Sequence, residues 1–130
     1  MIESDLRTFL LAQPAVSALI VDRLYPARLP QGATLPAVTY QRIAGTPVIS
    51  HDGASDLARA RFQFDCWAET YDAMVGLAKA VRVALSGHRG YMGTNPVTAA
   101  GVLNQIDFPE SEPVLWRRMI DAVIWHIEDS

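Results

Sequence analysis

The stretch HDGASDLARARFQFDCW, His51 to Trp67, gathers the residue types that could do chemistry. It holds the only cysteine, Cys66, and one of the three histidines, His51, with carboxylates at Asp52, Asp56 and Asp65. A cysteine nucleophile needs a nearby base and an exposed, electropositive setting. The pattern around Cys66 argues against both. From Leu57 to Trp67 the chain alternates with a period of two. Ala58, Ala60, Phe62, Phe64 and Cys66 share one face, and Arg59, Arg61, Gln63 and Asp65 share the other. Cys66 then lies among apolar side chains, where burial raises a thiol's pKa and silences it. A core cysteine is the expectation. His51 and Asp52 are adjacent in a glycine-containing loop. Adjacent residues rarely serve as base and orienter for each other, and Asp52-Gly53 suits a turn, since glycine adopts positive φ freely.

The remaining titratable residues form no enzyme pattern. His88 follows a helix, and His126 ends the last strand beside Trp125. No His-x-x-x-His, Cys-x-x-Cys, phosphate-cradling glycine loop or Gly-x-Ser-x-Gly occurs. The expectation is no catalytic residue, no metal and no cofactor. Arg59 and Arg61 remain as two cations on one outer strand face, with Asp65 further along. They read either as a solvated sheet face or as a subunit interface, where arginine is enriched. Arg117-Arg118 carries the same two readings, but adjacent strand residues point to opposite faces, so at most one joins such a surface.

These residues need elements to hold them. Ser4 can cap a first helix whose apolar face is Leu6, Phe9 and Leu10. Pro14 ends it and can start a short helix through PAVSALIV. DRLYPARLPQGATLP, with three prolines and a glycine, reads as an ordered connector. AVTYQRI, Ala37 to Ile43, reads as a first strand. AGTPVISHDGAS, 44–55, reads as a long loop of the kind that tends to be functional. LARARFQFDCW, Leu57 to Trp67, is the second strand. Thr70 then caps the strongest helix, with Met74, Leu77, Ala78, Val81 and Leu85 as its apolar stripe and Gly87 as its stop. HRGYMGTNPVTAAG reads as flexible, and VLNQIDF and LWRRMIDAVIWHI read as two strands joined by the turn PESEP. The tail EDS is expected to fray. The sum is a single α+β domain over 1–130: a four-stranded, mostly antiparallel sheet with helices packed on one face.

Composition bounds the rest. A chain of 130 residues buries a core without a disulfide or metal staple. One cysteine cannot form an internal bridge. The start MIESDLRTFL lacks the basic and apolar regions of a signal peptide, and no apolar run approaches the roughly 20 residues that cross a bilayer. A soluble cytoplasmic domain with no membrane contact is expected. Net charge is −3, with ten arginines, one lysine (Lys79) and no basic block, which disfavours direct nucleic-acid binding. The arginine bias fits an interface, but a GC-rich coding sequence is the favoured explanation.

The run LPAVTYQRIAGTPVISHDGASDLARARFQFDCWAETYDAMVGLAKAVRVAL resembles the small tail completion proteins of long-tailed phages and prophages, also called tail terminator or head–tail joining proteins. VSALIVDRLYPARLPQGATLP before it, AVTYQRI, the HDG loop, ARARFQFDCWAETYDAM and the closing VIWH occur in matching order. The resemblance runs from about Leu6 to His126 and does not extend to HRGYMGTNPVTAAG. It implies a structural virion protein with no enzymatic activity and no cofactor. It implies a ring, usually a homo-hexamer, at the head-proximal end of the tail tube, assembled in the host cytoplasm. The implied partners are other copies of the chain, the major tail tube protein and the head–tail connector or stopper, with DNA passing through without specific binding. On this reading His51, Asp52, Gly53, Arg59, Arg61 and Asp65 are assembly candidates. Two other readings stand beside it: a head-completion stopper of the same neck, and a small hydrolase using Cys66 or His51.

Overall fold

The computed structural model describes residues 2–50, 53–93, 95–111 and 114–127, with side chains outside 44–57 and 109–114. Three helices and six strands follow in the order α1 (Ile2–Leu11), α2 (Pro14–Ile20), β1 (Leu24–Pro26), β2 (Ala37–Ser50), β3 (Gly53–Ala68), α3 (Tyr71–Leu85), β4 (Gly90–Met92), β5 (Asn95–Ser111) and β6 (Val114–Ile127). One sheet joins all six strands in the order β1-β2-β3-β6-β5-β4. Only β1 against β2 is parallel.

The α+β class and the antiparallel character agree with the sequence; the strand number does not. The sheet has six strands, not four. The two extra strands, β1 and β4, are three residues long and lie in stretches read as connector and flexible loop. Three residues are too few to display a period of two, and the neighbouring prolines and glycines dominate the local signal. The long loop over 44–55 is a second correction. β2 continues to Ser50 and β3 begins at Gly53, so this segment is the far half of a two-stranded ribbon. Its Gly, Ser, Thr and Pro content looks like a loop. The backbone pairs nonetheless, and register shifts between Arg42 and Ala44 and between Pro47 and Ile49 absorb the irregularity. Likewise β5 starts at Asn95, inside HRGYMGTNPVTAAG, and runs to Ser111, through the start of PESEP. Ser111 pairs with Val114 across the two strands. The tail EDS lies outside the described residues.

The helices form as their faces dictate. Ile2, Leu6, Phe9 and Leu10 are buried on α1. Burying Ile2 carries the helix one turn beyond Ser4, so Ser4 is inside α1 and not its cap. Pro14 opens α2, where its missing N–H costs nothing. The Thr70 hydroxyl accepts from the Ala73 N–H at 3.2 Å and caps α3. Gly87, at φ +73°, follows the end of α3 and supplies the left-handed backbone that stops a helix.

All three helices lie on one sheet face and share one core with it. Leu6, Leu10, Val16, Ile20, Leu77, Val81 and Leu85 pack with Val38, Phe62, Phe64, Cys66, Ile120 and Ile124. Phe62 and Phe64 are fully enclosed, with ring centroids 6.3 Å apart. Truncating either to alanine removes about 3–5 kcal/mol. Among the described residues no helix is long and apolar enough to cross a membrane.

Candidate assembly surface

The other face of the sheet carries no helix, and alternation delivers a charged ladder to it. Along β3 it presents Arg59, Arg61, Gln63, Asp65 and Trp67. Along β6 their partners in register are Trp125, Val123, Asp121, Met119 and Arg117. The Arg61 guanidinium clasps the Asp121 carboxylate through Nη2 to Oδ2, with Nε 3.4 Å from Oδ1. Arg117 Nη1 donates to Asp65 Oδ1 at 3.4 Å, and Gln63 Nε2 donates to Asp65 Oδ2 at 2.9 Å. Both carboxylates are largely enclosed: Asp65 is 7 % exposed and Asp121 9 %. A carboxylate at that depth needs its cation, since an unpaired buried charge is costly.

Rings complete the ladder. The Arg59 guanidinium lies 5.7 Å from the Trp125 ring centre. Arg117 sits between Trp67, at 5.2 Å, and Phe108, at 4.5 Å. Trp67 Nε1 donates to the Thr39 hydroxyl at 3.1 Å, which ties β3 to β2. Arg118 points to the opposite face, as alternation requires. Its Nε and Nη2 donate to Asp107 at 2.6 and 3.1 Å. That bond, with a hydrogen bond from Tyr71 as a smaller cause, holds the Asp107 carboxyl below the usual carboxylate range.

The would-be catalytic set is taken apart by the same geometry. Cys66 is on the core face with 0 % exposure, and burial pushes its thiol well up, with the neighbouring Asp65 charge a smaller contribution. Asp65 is on the other face. His126, 1 % exposed, is paired in register with Ala58 on the core face. His88 lies against Phe9 with ring centres 4.3 Å apart and the rings tilted by 51°. Among the described residues no three of His, Cys, Asp and Glu gather as a metal site. His51 and Asp52 lie outside the described residues, and Gly53 opens β3 opposite Ser50.

Of the residues the sequence singled out, the sheet brings Arg59, Arg61 and Asp65 onto one face. It adds Asp121, which sequence reading passed over, together with Trp125 and, of the Arg117-Arg118 pair, Arg117. The signal was present: 117, 119, 121, 123 and 125 share one parity in the last strand, and two of the five are charged. What sequence could not supply was the register that sets Arg61 beside Asp121.

Over residues 4–127 the sequence matches the family described as tail completion protein gp17. The chain belongs to the tail completion protein family. It is thereby a structural protein of a phage-like tail. No curated protein matches the sequence. Among solved structures, this tail completion chain resembles a chain of the "Virion of native gene transfer agent (GTA) particle". The match has a TM-score of 0.67 at 17 % identity and covers 96 % of this chain and 90 % of that one. At this identity the likeness shows a shared fold.

Proposed function

We propose that this tail completion protein acts by closing into a ring, a homo-hexamer, at the head-proximal end of a tail tube. The ring stops tube polymerisation and offers the head's connector a surface on which to join. The observation that carries this reading is family membership across nearly the whole chain, 4–127. A single compact domain tiles a ring through a heterologous interface that closes on itself. Passage of DNA without specific binding is compatible with the charges of the open sheet face. Arg61 and Arg117 on it are each held by a carboxylate, and Arg59 lies over a tryptophan. Few free cations mean few phosphate contacts.

Native mass measurement of the chain alone, and mixed with the major tail tube protein of the same particle, tests the reading. The expected result is a ring of fixed copy number in the mixture and tubes that no longer lengthen. A chain that stays monomeric beside tubes that keep growing, and that binds the head connector instead, would mark it as a stopper of the neck.

A further inference from the structure

The sheet has two open edges, and each is open over a limited stretch. On β2, strand β1 covers only Val38–Tyr40. On β5, strand β4 covers only Asn95–Val97, and the Gly87 N–H takes the Ala100 carbonyl at 2.9 Å. Among the described residues no strand is paired to the outer side beyond these points, from Gln41 on β2 and from Gly101 on β5. The next proline is Pro47 on β2 and Pro109 on β5. Between Gly101 and Phe108 there is neither proline nor lysine, the usual guards of an exposed edge.

The backbone groups on these stretches can be assigned. In an antiparallel ladder alternate residues turn both N–H and C=O outward. Val38 N–H donates outward to Arg23 O at 3.0 Å, and Tyr40 O accepts from Ala27 N–H at 2.8 Å. The next outward residue on β2 is therefore Arg42. Ala100 O faces outward to Gly87, so Val102 is the next on β5. Arg42 pairs with Phe62, Phe62 with Ala122, and Ala122 with Val102. The two outward residues thus stand at one height on opposite sides of the sheet.

Each is followed by an irregularity with an exposed apolar side chain. Ile43 occupies the register shift between Arg42 and Ala44 and is 43 % exposed. Leu103 occupies the shift between Val102 and Asn104 and is 51 % exposed. Ile106 and Phe108 continue the apolar character along β5. The strand directions also match. β2 runs opposite to β3, β3 to β6 and β6 to β5, so β2 and β5 run in opposite senses. A rotation about an axis along the strands, with no displacement, sets the β2 of one copy antiparallel to the β5 of the next.

We propose that neighbouring copies join edge to edge, Gln41–Ala44 on β2 of one copy pairing antiparallel with Gly101–Asn104 on β5 of the next, Arg42 opposite Val102, with Ile43 and Leu103 to either side of that pair. The partner is a second copy because this one chain carries both halves, matched in height, polarity and apolar residue. The proposal rests on the ring reading above and names its joint. It does not depend on the open sheet face.

Disulfide trapping tests it. The chain carrying Gln41→Cys and Leu103→Cys together, assembled with the tube protein and oxidised, is expected to give a ladder of cross-linked copies. Each single substitution gives none, because Gln41 meets Leu103 and not itself, and buried Cys66 stays out of the reaction. Cross-linking by either single variant, or no ladder from doubly substituted rings of wild-type native mass, overturns the edge joint and leaves the ring standing. A ladder that ends at a fixed copy number supports both. One that continues without limit supports the joint and overturns the closed ring. Failure of the wild-type chain to assemble even with the tube protein overturns both. Hydrogen exchange on the unaltered chain gives a second readout. The Val102 amide is expected to slow at least tenfold on assembly, and unchanged exchange in the ring refutes the joint.

Discussion

At residue scale the deciding position is Cys66. Its thiol lies beneath Phe62 and Phe64 on the helix-covered face, where burial holds it protonated. Reaction with a thiol reagent then requires the core to open. With a global stability of about 5–15 kcal/mol, native labelling should run roughly a thousandfold or more below that of the unfolded chain. Labelling by an aromatic disulfide in buffer and in denaturant checks this. Native labelling at a rate near the unfolded one would restore the hydrolase reading.

At element scale the β2–β3 ribbon stands out. Among the described residues β6 pairs with β3 from Leu57 onward, while Gly53 and Ala54 pair with β2. Deleting Gly53–Ser55 should leave the fold intact, at a cost below about 1 kcal/mol, and shift the thermal midpoint by no more than a few degrees. It should also abolish ring formation and tube capping, read by native mass and by tube length. Normal capping by the deletion variant would show that the ribbon touches no partner.

The elements also show what the sequence could reveal. α3 was legible from Thr70 to Gly87 because cap, stripe and stop all agreed. The face of β3 was legible because five alternating residues share one character. The far half of the ribbon was not, since Gly45, Thr46, Pro47 and Ser50 have the composition of a loop while the ladder beside them makes a strand. β1 and β4 were hidden because their identity as strands lies in the neighbour each pairs with. The assembly candidates were half legible: alternation gives the face, and only cross-strand register gives Asp121 and Arg117 as partners.

At the scale of the whole molecule, Arg59 and Arg61 separate into different experiments. Arg61 is held by Asp121, so Arg61→Glu sets two carboxylates together and should cost on the order of 1–3 kcal/mol in the monomer. Arg59 rests on Trp125, so Arg59→Glu should cost no more than about 1 kcal/mol. If this face joins copies, Arg59→Glu alone should block assembly of a monomer that unfolds almost normally. Urea melts and native mass on the same sample read the two effects apart, and an unchanged oligomer from the double reversal would remove this face from the interface.

The three tryptophans are distributed unevenly. Trp67, Trp116 and Trp125 all belong to β3 and β6, and none belongs to a helix. Intrinsic fluorescence therefore watches the two central strands, while far-ultraviolet dichroism is dominated by α1, α2 and α3. The two optical signals report on separate layers of one domain. Coincident melting curves would establish that helices and sheet unfold together, and a gap between them would expose a sheet that outlives its helical cover.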